Sequence, residues 1–255
     1  MVEPPASFPA RVAATAHVFA ERLDDRITVG GDDGHHLQRA RRVRPGERVT
    51  VADGYGRWRA YAVVRADAGV VELDATTAVT HEPALVPRLT VACSLTKGHK
   101  PELAVQKLTE LGVDRVVLVE AARSVVLWDD AKTAAALTRL ERVAREAAMQ
   151  SRRARVPVVD GPVAPTELAR LSGLVVAAPD GVSVDDLPLP PAGEWVVAVG
   201  PEGGFDVDEL RGFGSAPRLA VGPFVLRAET AAIAVAAALG GRREVSTERD
   251  DRREW

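Results

Sequence analysis

The sequence of 255 residues contains a single cysteine, Cys93, and no long apolar run. One cysteine excludes an internal disulfide and a cysteine-based metal cluster. No apolar stretch approaches the length that a bilayer span requires. The N-terminal segment also lacks the basic region followed by an apolar stretch that is typical of a secretion signal. We therefore expect a cytoplasmic protein.

An excess of positive charge is also missing, because the formal net charge is −3. Contacts to phosphate require lysine and arginine, so this balance by itself counts against a nucleic-acid partner. The arginines are nevertheless concentrated in two short stretches. These are Arg39, Arg41, Arg42, Arg44 and Arg48, and then Arg139, Arg142, Arg145, Arg152, Arg153 and Arg155. Either cluster alone is more typical of a solvated helix face, with carboxylates such as Glu141 nearby.

The residues up to about Glu82 have the pattern of short strands separated by turns. The predicted strands are Ala16 to Phe19, Arg26 to Val29, Arg48 to Ala52, Trp58 to Arg65 and Gly69 to Thr76. One helix is predicted from Gly34 to Val43, and Asp53-Gly54 between alternating flanks predicts a hairpin. Several short strands at this spacing indicate a small barrel or sandwich.

After the prolines at 83 and 87, apolar strands alternate with longer helical stretches. This alternation predicts a parallel sheet covered by helices. The predicted strands are Leu89 to Leu95, Arg115 to Glu120, Leu174 to Ala178, Glu194 to Val199 and Arg218 to Val221. The predicted helices are Pro101 to Leu111, Asp129 to Met149 and Ala228 to Leu239. The charged residues from Arg242 to Trp255 lack an apolar period, and we expect a frayed tail there.

One glycine-rich segment follows a predicted strand directly. The strand ending at Val199 leads into Gly200-Pro201-Glu202-Gly203-Gly204, and Asp206 with Glu209 resembles a helix capping pair. Ligands of open α/β sheets bind beyond the carboxyl ends of strands, where this loop is expected. Glu202 would repel a polyphosphate, so a phosphate-free cofactor such as S-adenosylmethionine fits better. Spacing alone leaves an ordinary turn with a solvated glutamate equally favoured.

A second segment, Val221-Gly222-Pro223-Phe224-Val225-Leu226-Arg227-Ala228-Glu229-Thr230-Ala231, leads into a helix rich in alanine that we expect to be buried nearly all round. Charged groups at the mouth of such a helix are unusual unless they have partners. The alternative is simple capping of the helix by Thr230 or Glu229, with Arg227 in a salt bridge.

The two segments together are much more specific than either alone, and with further matches they resemble the RsmE family. This family comprises bacterial 16S ribosomal RNA uracil-N3 methyltransferases of the SPOUT superfamily. The further matches are His36 to Arg39, Val43 to Gly46, Thr96 to Lys100, Gln106 to Val113, and Gln150 to Arg153 with Val156-Pro157. Met149 stands where the family usually has glutamate, and Arg152 stands where it usually has glycine.

The resemblance implies an α/β protein in which a PUA-like small β-barrel precedes a SPOUT domain with a C-terminal trefoil knot. The corresponding ranges are residues 1–83, 84–241 and a charged tail at 242–255. It also implies a homodimer that binds S-adenosylmethionine and acts on 16S rRNA in the small ribosomal subunit or its precursor. The implied cofactor wall comprises Ala177, Ala178, Val199, Gly200, Glu202, Gly203, Gly204, Val221, Gly222, Leu226, Thr230 and Ala231.

Methylation at uracil N3 requires loss of a proton, so a base and an anion stabiliser are needed. Arg227 is expected to neutralise charge on the uracil oxygens, and Glu229 to accept the proton, with Glu202 as second candidate. The expected RNA contacts are Arg39, Arg42, Lys97, Lys100 and Arg153. No metal is expected, because adjacent His35 and His36 would point apart on a helix.

Two other functions remain open at this point. An RNA-binding module that has lost catalysis would assist ribosome assembly without binding the methyl donor. A small-molecule methyltransferase of ordinary doubly wound type would not need the arginine-rich first domain. Binding of S-adenosylmethionine discriminates the first alternative, and removal of the first domain discriminates the second.

Overall fold

The computed structural model describes residues 8–246, which form two compact units. The first unit contains residues 8–84, 148–156 and 245–246, and the second contains residues 85–147 and 157–244. The short segment at 148–156 therefore belongs with the N-terminal residues, although it follows them by more than sixty positions in the sequence. No helix in the described range combines the length and apolarity needed to cross a bilayer.

The first unit is built around a mostly antiparallel sheet. Its elements are α1 (Phe8–Val12), β1 (Ala16–Phe19), β2 (Arg26–Val29), α2 (Gly31–His35), a π-helical turn (His36–Ala40), β3 (Arg48–Ala52), β4 (Arg57–Asp67), β5 (Val70–Ala75) and β6 (Thr80–His81). The strand order is β1-β3-β4-β5-β2, with β6 paired to β4. β1 and β3 are parallel, and the predicted hairpin at Asp53-Gly54 joins antiparallel β3 and β4.

The predicted helix from Gly34 to Val43 is wrong in its bounds and in its type. Helical structure begins at Gly31, and a π-helical turn covers His36–Ala40, closed by the bond from the Arg41 amide to the His36 carbonyl (3.1 Å). A β-carbon at Gly34 would lie 2.2 Å from the Gly69 carbonyl oxygen, so only glycine permits this approach. The π turn brings Leu37 into the core, where it is fully buried.

The second unit is a parallel sheet with helices. The elements from residue 85 onward are β7 (Leu85–Val86), β8 (Arg88–Ser94), α3 (Lys100–Glu110), β9 (Arg115–Val119), α4 (Asp130–Gln150), β10 (Val158–Val163), α5 (Pro165–Leu168), β11 (Leu174–Val182), β12 (Glu194–Val199), α6 (Val207–Gly212), β13 (Arg218–Leu219), α7 (Ala228–Gly240) and β14 (Glu244–Val245). The main sheet has the order β10-β9-β8-β12-β11-β13, and β14 pairs with β7.

Buried side chains show why this sheet must be covered on both faces. Val196 and Ala198 of β12 pack in one cluster with Phe205 and Phe213. Val197, between them on the opposite face, is also fully buried. Continuous burial of successive strand residues is the signature of a parallel sheet between helices. The helix–strand alternation of the sequence therefore predicts this layer arrangement correctly.

Two expectations about the end of the chain require correction. Helix α7 is not buried all round, because Ala232, Val235 and Ala236 are buried while Thr230 and Ala237 are exposed. The charged segment from Arg242 does not begin as a frayed tail either, since Arg243 is only 1% exposed.

Arg243 is buried because main-chain oxygens satisfy its guanidinium. It donates to the carbonyls of Leu85, Pro87 and Gly112 and pairs with Asp114. A buried guanidinium with this many acceptors fixes the backbone that provides them. The rest of the expected tail, residues 247–255, lies outside the described residues.

Candidate functional site

A cavity of about 250 Å³ opens where β11 and β12 end in the second unit. Ligands of an open α/β sheet usually bind beyond the carboxyl ends of its parallel strands. The Gly200–Phe205 loop forms one wall, and the segment from Val221 to Leu226 forms another. The two segments that the sequence singled out are thus brought together at one cavity.

The glycine loop is held in shape by contacts on its outer side. Gly204 has a φ of 69°, and its amide donates to the Pro201 carbonyl (2.8 Å), which closes a tight turn. The guanidinium of Arg123 donates to the Gly203 carbonyl (2.7 Å). A β-carbon at Gly200 would lie 3.1 Å from the Phe205 amide nitrogen, so this position also favours glycine.

The helix that follows the loop begins as its capping pair predicts. The Asp206 carboxylate accepts from the Glu209 amide (2.8 Å), and the Glu209 carboxylate accepts from the Asp206 amide (2.7 Å). Glu209 also accepts from the amide of Ala122 (2.7 Å), which ties the start of α6 to the residues after β9. This reciprocal cap fixes the exit of the glycine loop.

Ten of the twelve residues expected in the cofactor wall line the cavity. They are Ala177, Ala178, Val199, Gly200, Glu202, Gly204, Val221, Gly222, Leu226 and Ala231. Gly203 and Thr230 do not line it. The carbonyl of Gly203 is turned to Arg123, and Thr230 lies on the exposed side of α7.

Several lining residues are absent from the expected set. They include Val176, Pro179, Phe205, Leu210, Arg218, Phe224 and Val225. Phe224 and Val225 are apolar residues inside the second segment, which is a signal that the sequence contains, and the structure leaves them 77% and 87% exposed. Leu210 and Arg218 come from α6 and β13, and no local pattern in the sequence connects those elements with the cavity.

Arg227 and Glu229 stand at the beginning of α7 but face different surroundings. Arg227 is the N-cap residue, is exposed, and has no ion pair among residues 8–246; its side chain does not cap the helix. Capping by Thr230 or Glu229 with Arg227 in a salt bridge is therefore not what the structure shows. The Glu229 side chain is 9% exposed, and its Oε2 has no hydrogen-bond partner in the described structure.

Lys100 connects the two carboxylates of the two segments. Its Nζ lies 2.5 Å from Glu202 Oε1 and 3.6 Å from Glu229 Oε2. The hydrogen bond with Glu202 raises the pKa of Lys100, and the charge of Glu229 raises it further. The same hydrogen bond lowers the pKa of Glu202, and the charge of Arg227 contributes to that lowering.

The residues expected to bind RNA are divided between the units. Arg39, Arg42 and Arg153 belong to the first unit, and Lys97 and Lys100 belong to the second. Arg39, Arg42 and Lys97 are exposed. The carbonyl of Arg153 is hydrogen-bonded by His17 Nε2 (2.8 Å), while Lys100 is held by the carboxylates described above.

Both departures from the family pattern have a structural role in the first unit. Met149 is 9% exposed and packs in the core beside Ala148 and Ala154. Arg152 has a φ of 62°, in the left-handed region where glycine is favoured. Its Nη2 donates to the carbonyls of Ala14 (3.1 Å) and Thr15 (3.3 Å), which offsets part of that backbone strain.

Comparison with known proteins gives the class. A model of the RNA methyltransferase domain matches residues 83–240, and a model of the RNA methyltransferase PUA domain matches residues 29–74. The chain is thus an RNA methyltransferase with a PUA-like domain and an α/β domain.

Relatives define the family within that class. Ribosomal RNA small subunit methyltransferase E of Mycobacterium bovis is 38% identical over 223 residues, which cover 83% of this chain and 85% of the relative. The Bacillus subtilis protein of the same name is 28% identical over 236 residues, which cover 86% and 91%. The chain belongs to the ribosomal RNA small subunit methyltransferase E family.

Solved structures share the fold. A methyltransferase from Legionella pneumophila in complex with S-adenosylmethionine has a TM-score of 0.80 at 24% identity, covering 90% of this chain and 99% of that one. The ribosomal RNA small subunit methyltransferase E of Neisseria gonorrhoeae, bound to S-adenosylmethionine, has a TM-score of 0.77 at 24% identity, covering 89% and 97%.

Proposed function

We propose that the chain transfers a methyl group from S-adenosylmethionine to N3 of a uridine in 16S rRNA. The observation that carries this proposal is the single cavity formed by the Gly200–Phe205 loop and the Val221–Leu226 segment. Its lining is largely apolar and contains one carboxylate, Glu202, and one guanidinium, Arg218. Such a lining suits a cationic ligand without phosphates better than a nucleotide polyphosphate.

The ten lining residues named above would hold the methyl donor, and Gly203 would contribute through the shape of its loop. Gly203 and Thr230 do not line the cavity, and Thr230 lies on the exposed side of α7. When bound, S-adenosylmethionine supplies an electrophilic methyl group. Glycines at 200, 204 and 222 keep side chains out of the space that a ligand would occupy.

In the reaction, the N3 proton of the uracil is replaced by the methyl group, so the proton must be accepted. We assign this role to Glu229, whose Oε2 has no hydrogen-bond partner in the described part of the chain, with Glu202 as the alternative because it lines the cavity. Arg227 stays protonated and would neutralise the negative charge that develops on the uracil oxygens. Its exposed position, and the lack of an ion pair among residues 8–246, leave the guanidinium available for that contact.

The uracil must leave its stack to expose N3, which is occupied in a Watson–Crick pair. We propose that Arg39, Arg42, Arg153 and Lys97 bind the RNA backbone around it. The first unit, which contains Arg39, Arg42 and Arg153, would supply most of these contacts. The domain at 84–241 would supply the chemistry.

We also propose a C-terminal knot and a homodimer. Support for the knot is the path of the chain, since α7 packs against β8 and α3 although it follows β13 at the edge of the sheet. Support for the dimer is the exposed apolar pair Phe224 and Val225 and the partly exposed side of α7. Light scattering of the purified protein measures the dimer directly.

Mass spectrometry of ribosomal RNA nucleosides tests the reaction and the substrate class together. Cells without the protein should lack one 3-methyluridine, and the wild-type gene should restore it. Calorimetry with S-adenosylmethionine tests the alternative of an inactive RNA-binding module. An unchanged 3-methyluridine content would refute the proposed position of methylation, and absence of cofactor binding would favour the module.

A further inference from the structure

Lys100 stands at a place in the fold where a positive charge is unfavourable. It is the first residue of α3, and the N-terminus of a helix carries partial positive charge. Its side chain is only 31% exposed. A lysine held there requires compensation by negative charge, and the structure provides it from two other elements.

The two carboxylates come from the two segments that form the cavity. Glu202 belongs to the glycine loop, and Glu229 belongs to the first turn of α7. Lys100 Nζ is within hydrogen-bond distance of Glu202 Oε1. Among the described residues, Lys100 is also the cationic side chain that lies within 4 Å of Glu229. One ammonium therefore links the glycine loop, α3 and α7.

Glu229 depends on this ammonium more than Glu202 does. Glu202 is 44% exposed, so water solvates it, while the Glu229 side chain is 9% exposed. Glu229 also borders a small void of about 20 Å³ whose apolar lining comes mainly from α3 and β9. A carboxylate in such surroundings is costly unless a counter-charge is close.

We propose that Lys100 is a positioning residue of the methyl-donor site, which fixes the glycine loop against α7, and not a contact to the RNA backbone. This assignment rests on the proposed function. Lys97 provides the contrast, because it lies three residues earlier, is exposed, and has no ion pair among residues 8–246. Lys97 has the freedom that a phosphate contact needs, whereas Lys100 is already paired.

The test compares Lys100→Met with Lys97→Met and with the conservative Lys100→Arg. S-adenosylhomocysteine is the probe for calorimetry, because it lacks the sulfonium charge and reports the order of the loop without a change in Coulomb attraction. Lys100→Met should weaken its binding about ten-fold, since a charge-assisted hydrogen bond is lost. Lys100→Arg should restore most of this loss, and Lys97→Met should bind as the wild type does.

RNA binding should show the opposite pattern. Each lost phosphate contact reduces the slope of log affinity against log salt concentration by about one. Lys97→Met should show this reduction, and Lys100→Met should keep the wild-type slope. A reduced slope in Lys100→Met, together with unchanged binding of S-adenosylhomocysteine, would overturn the assignment.

The pH dependence of methylation gives a readout that a purely structural role would not change. Lys100 from α3 lies 3.6 Å from Glu229 Oε2, Glu202 from the glycine loop pairs with the same ammonium, and the charge of Arg227 acts on Glu202. Without Lys100, a carboxylate takes up a proton more readily, so the acidic limb of the rate profile should move to higher pH. An unmoved limb in Lys100→Met would contradict the assignment. If the wild type failed to bind S-adenosylhomocysteine, the proposed function would fail as well. If the wild type and Lys100→Met both bind it with the same affinity, only the assignment of Lys100 is rejected.

Discussion

Among single residues, Arg227 offers the clearest separation of chemistry from folding. It is exposed at the N-cap of α7, and its side chain makes no capping bond, so its removal costs the fold little. Arg227→Ala should lower the methylation rate by at least about 100-fold, because one stabiliser of developing charge is lost. Initial rates on rRNA measure this, while calorimetry checks that cofactor binding persists. Arg211→Ala, an exposed arginine on nearby α6, is the control, and a wild-type rate in Arg227→Ala would reject the role.

His17 makes a prediction about stability and pH. Burial, together with the nearby charges of Arg11 and Arg152, lowers its pKa to about 3, against the opposing hydrogen bond to Arg153. The unfolded state binds a proton below about pH 6.5, whereas the folded state does not until about pH 3. Stability that depends on neutral His17 is therefore complete above pH 6.5 and is lost as the pH falls toward 3.

The measurement is urea unfolding of the wild type and His17→Gln between pH 4 and pH 8. Glutamine retains hydrogen-bonding groups but does not titrate. The difference in unfolding free energy between the two proteins should shrink by up to about 1.4 kcal/mol per pH unit below pH 6.5. Parallel curves would show that His17 is not buried in its neutral form.

At the scale of elements, a matched pair of glycines tests how β11 is held against β12. Gly173 and Gly193 both have positive φ, 82° and 70°. A β-carbon at Gly173 would lie 2.0 Å from the Glu194 carbonyl oxygen, while a β-carbon at Gly193 would have no atom of the described residues within 4 Å. Gly193→Ala should cost about 1–2 kcal/mol from backbone strain alone. Gly173→Ala should cost about 3 kcal/mol or more, measured by urea unfolding, because the backbone must move. Equal costs would mean that the close approach is relieved without strain.

Local sequence patterns predict some elements well and others poorly, for physical reasons. Val196 to Val199 and the Asp206 and Glu209 cap are determined by neighbouring residues, so strand, loop and helix start were all predictable. Strand β10 was not predicted, since it contains Gly161-Pro162, residues typical of turns. Arg243 was assigned to a tail because its acceptors at Leu85, Pro87 and Gly112 are distant in the sequence.

At the scale of the whole molecule, the division of the chain depends on contacts that no local pattern contains. Residues 148–156 join the first unit because Ala148, Met149 and Ala154 complete its core. Hydrogen bonds from His17 to the Arg153 carbonyl and from Arg152 to the Ala14 carbonyl connect the same two parts of the chain. The domain boundary predicted near Pro83 follows the change in hydrophobic periodicity, but it does not predict that residues 148–156 belong to the first unit. Eight of the ten cavity residues lie in the two recognisable segments, and Ala177 and Ala178 followed from the family resemblance, while Leu210 and Arg218 required the fold.

The whole-molecule charge gives the last prediction. With a net charge of −3, the protein as a whole repels RNA, so binding must depend on local groups that are not already neutralised. Arg39 and Arg42 are exposed and have no ion pair among residues 8–246. Arg22 and Arg26, exposed in the same unit, are paired with Asp24 and Asp74. Two double variants, Arg39→Ala with Arg42→Ala and Arg22→Ala with Arg26→Ala, therefore remove the same charge from different surroundings.

Affinity for an rRNA fragment, measured over a range of salt concentrations, separates the two double variants. If Arg39 and Arg42 each contact a phosphate, their loss should reduce the slope of log affinity against log salt by about 1.4 for single-stranded RNA. The control pair should leave the slope nearly unchanged, since each lost arginine frees an aspartate but removes no phosphate contact. Equal reductions in both variants would show that RNA responds to overall charge, and that the first unit has no defined contact at Arg39 and Arg42.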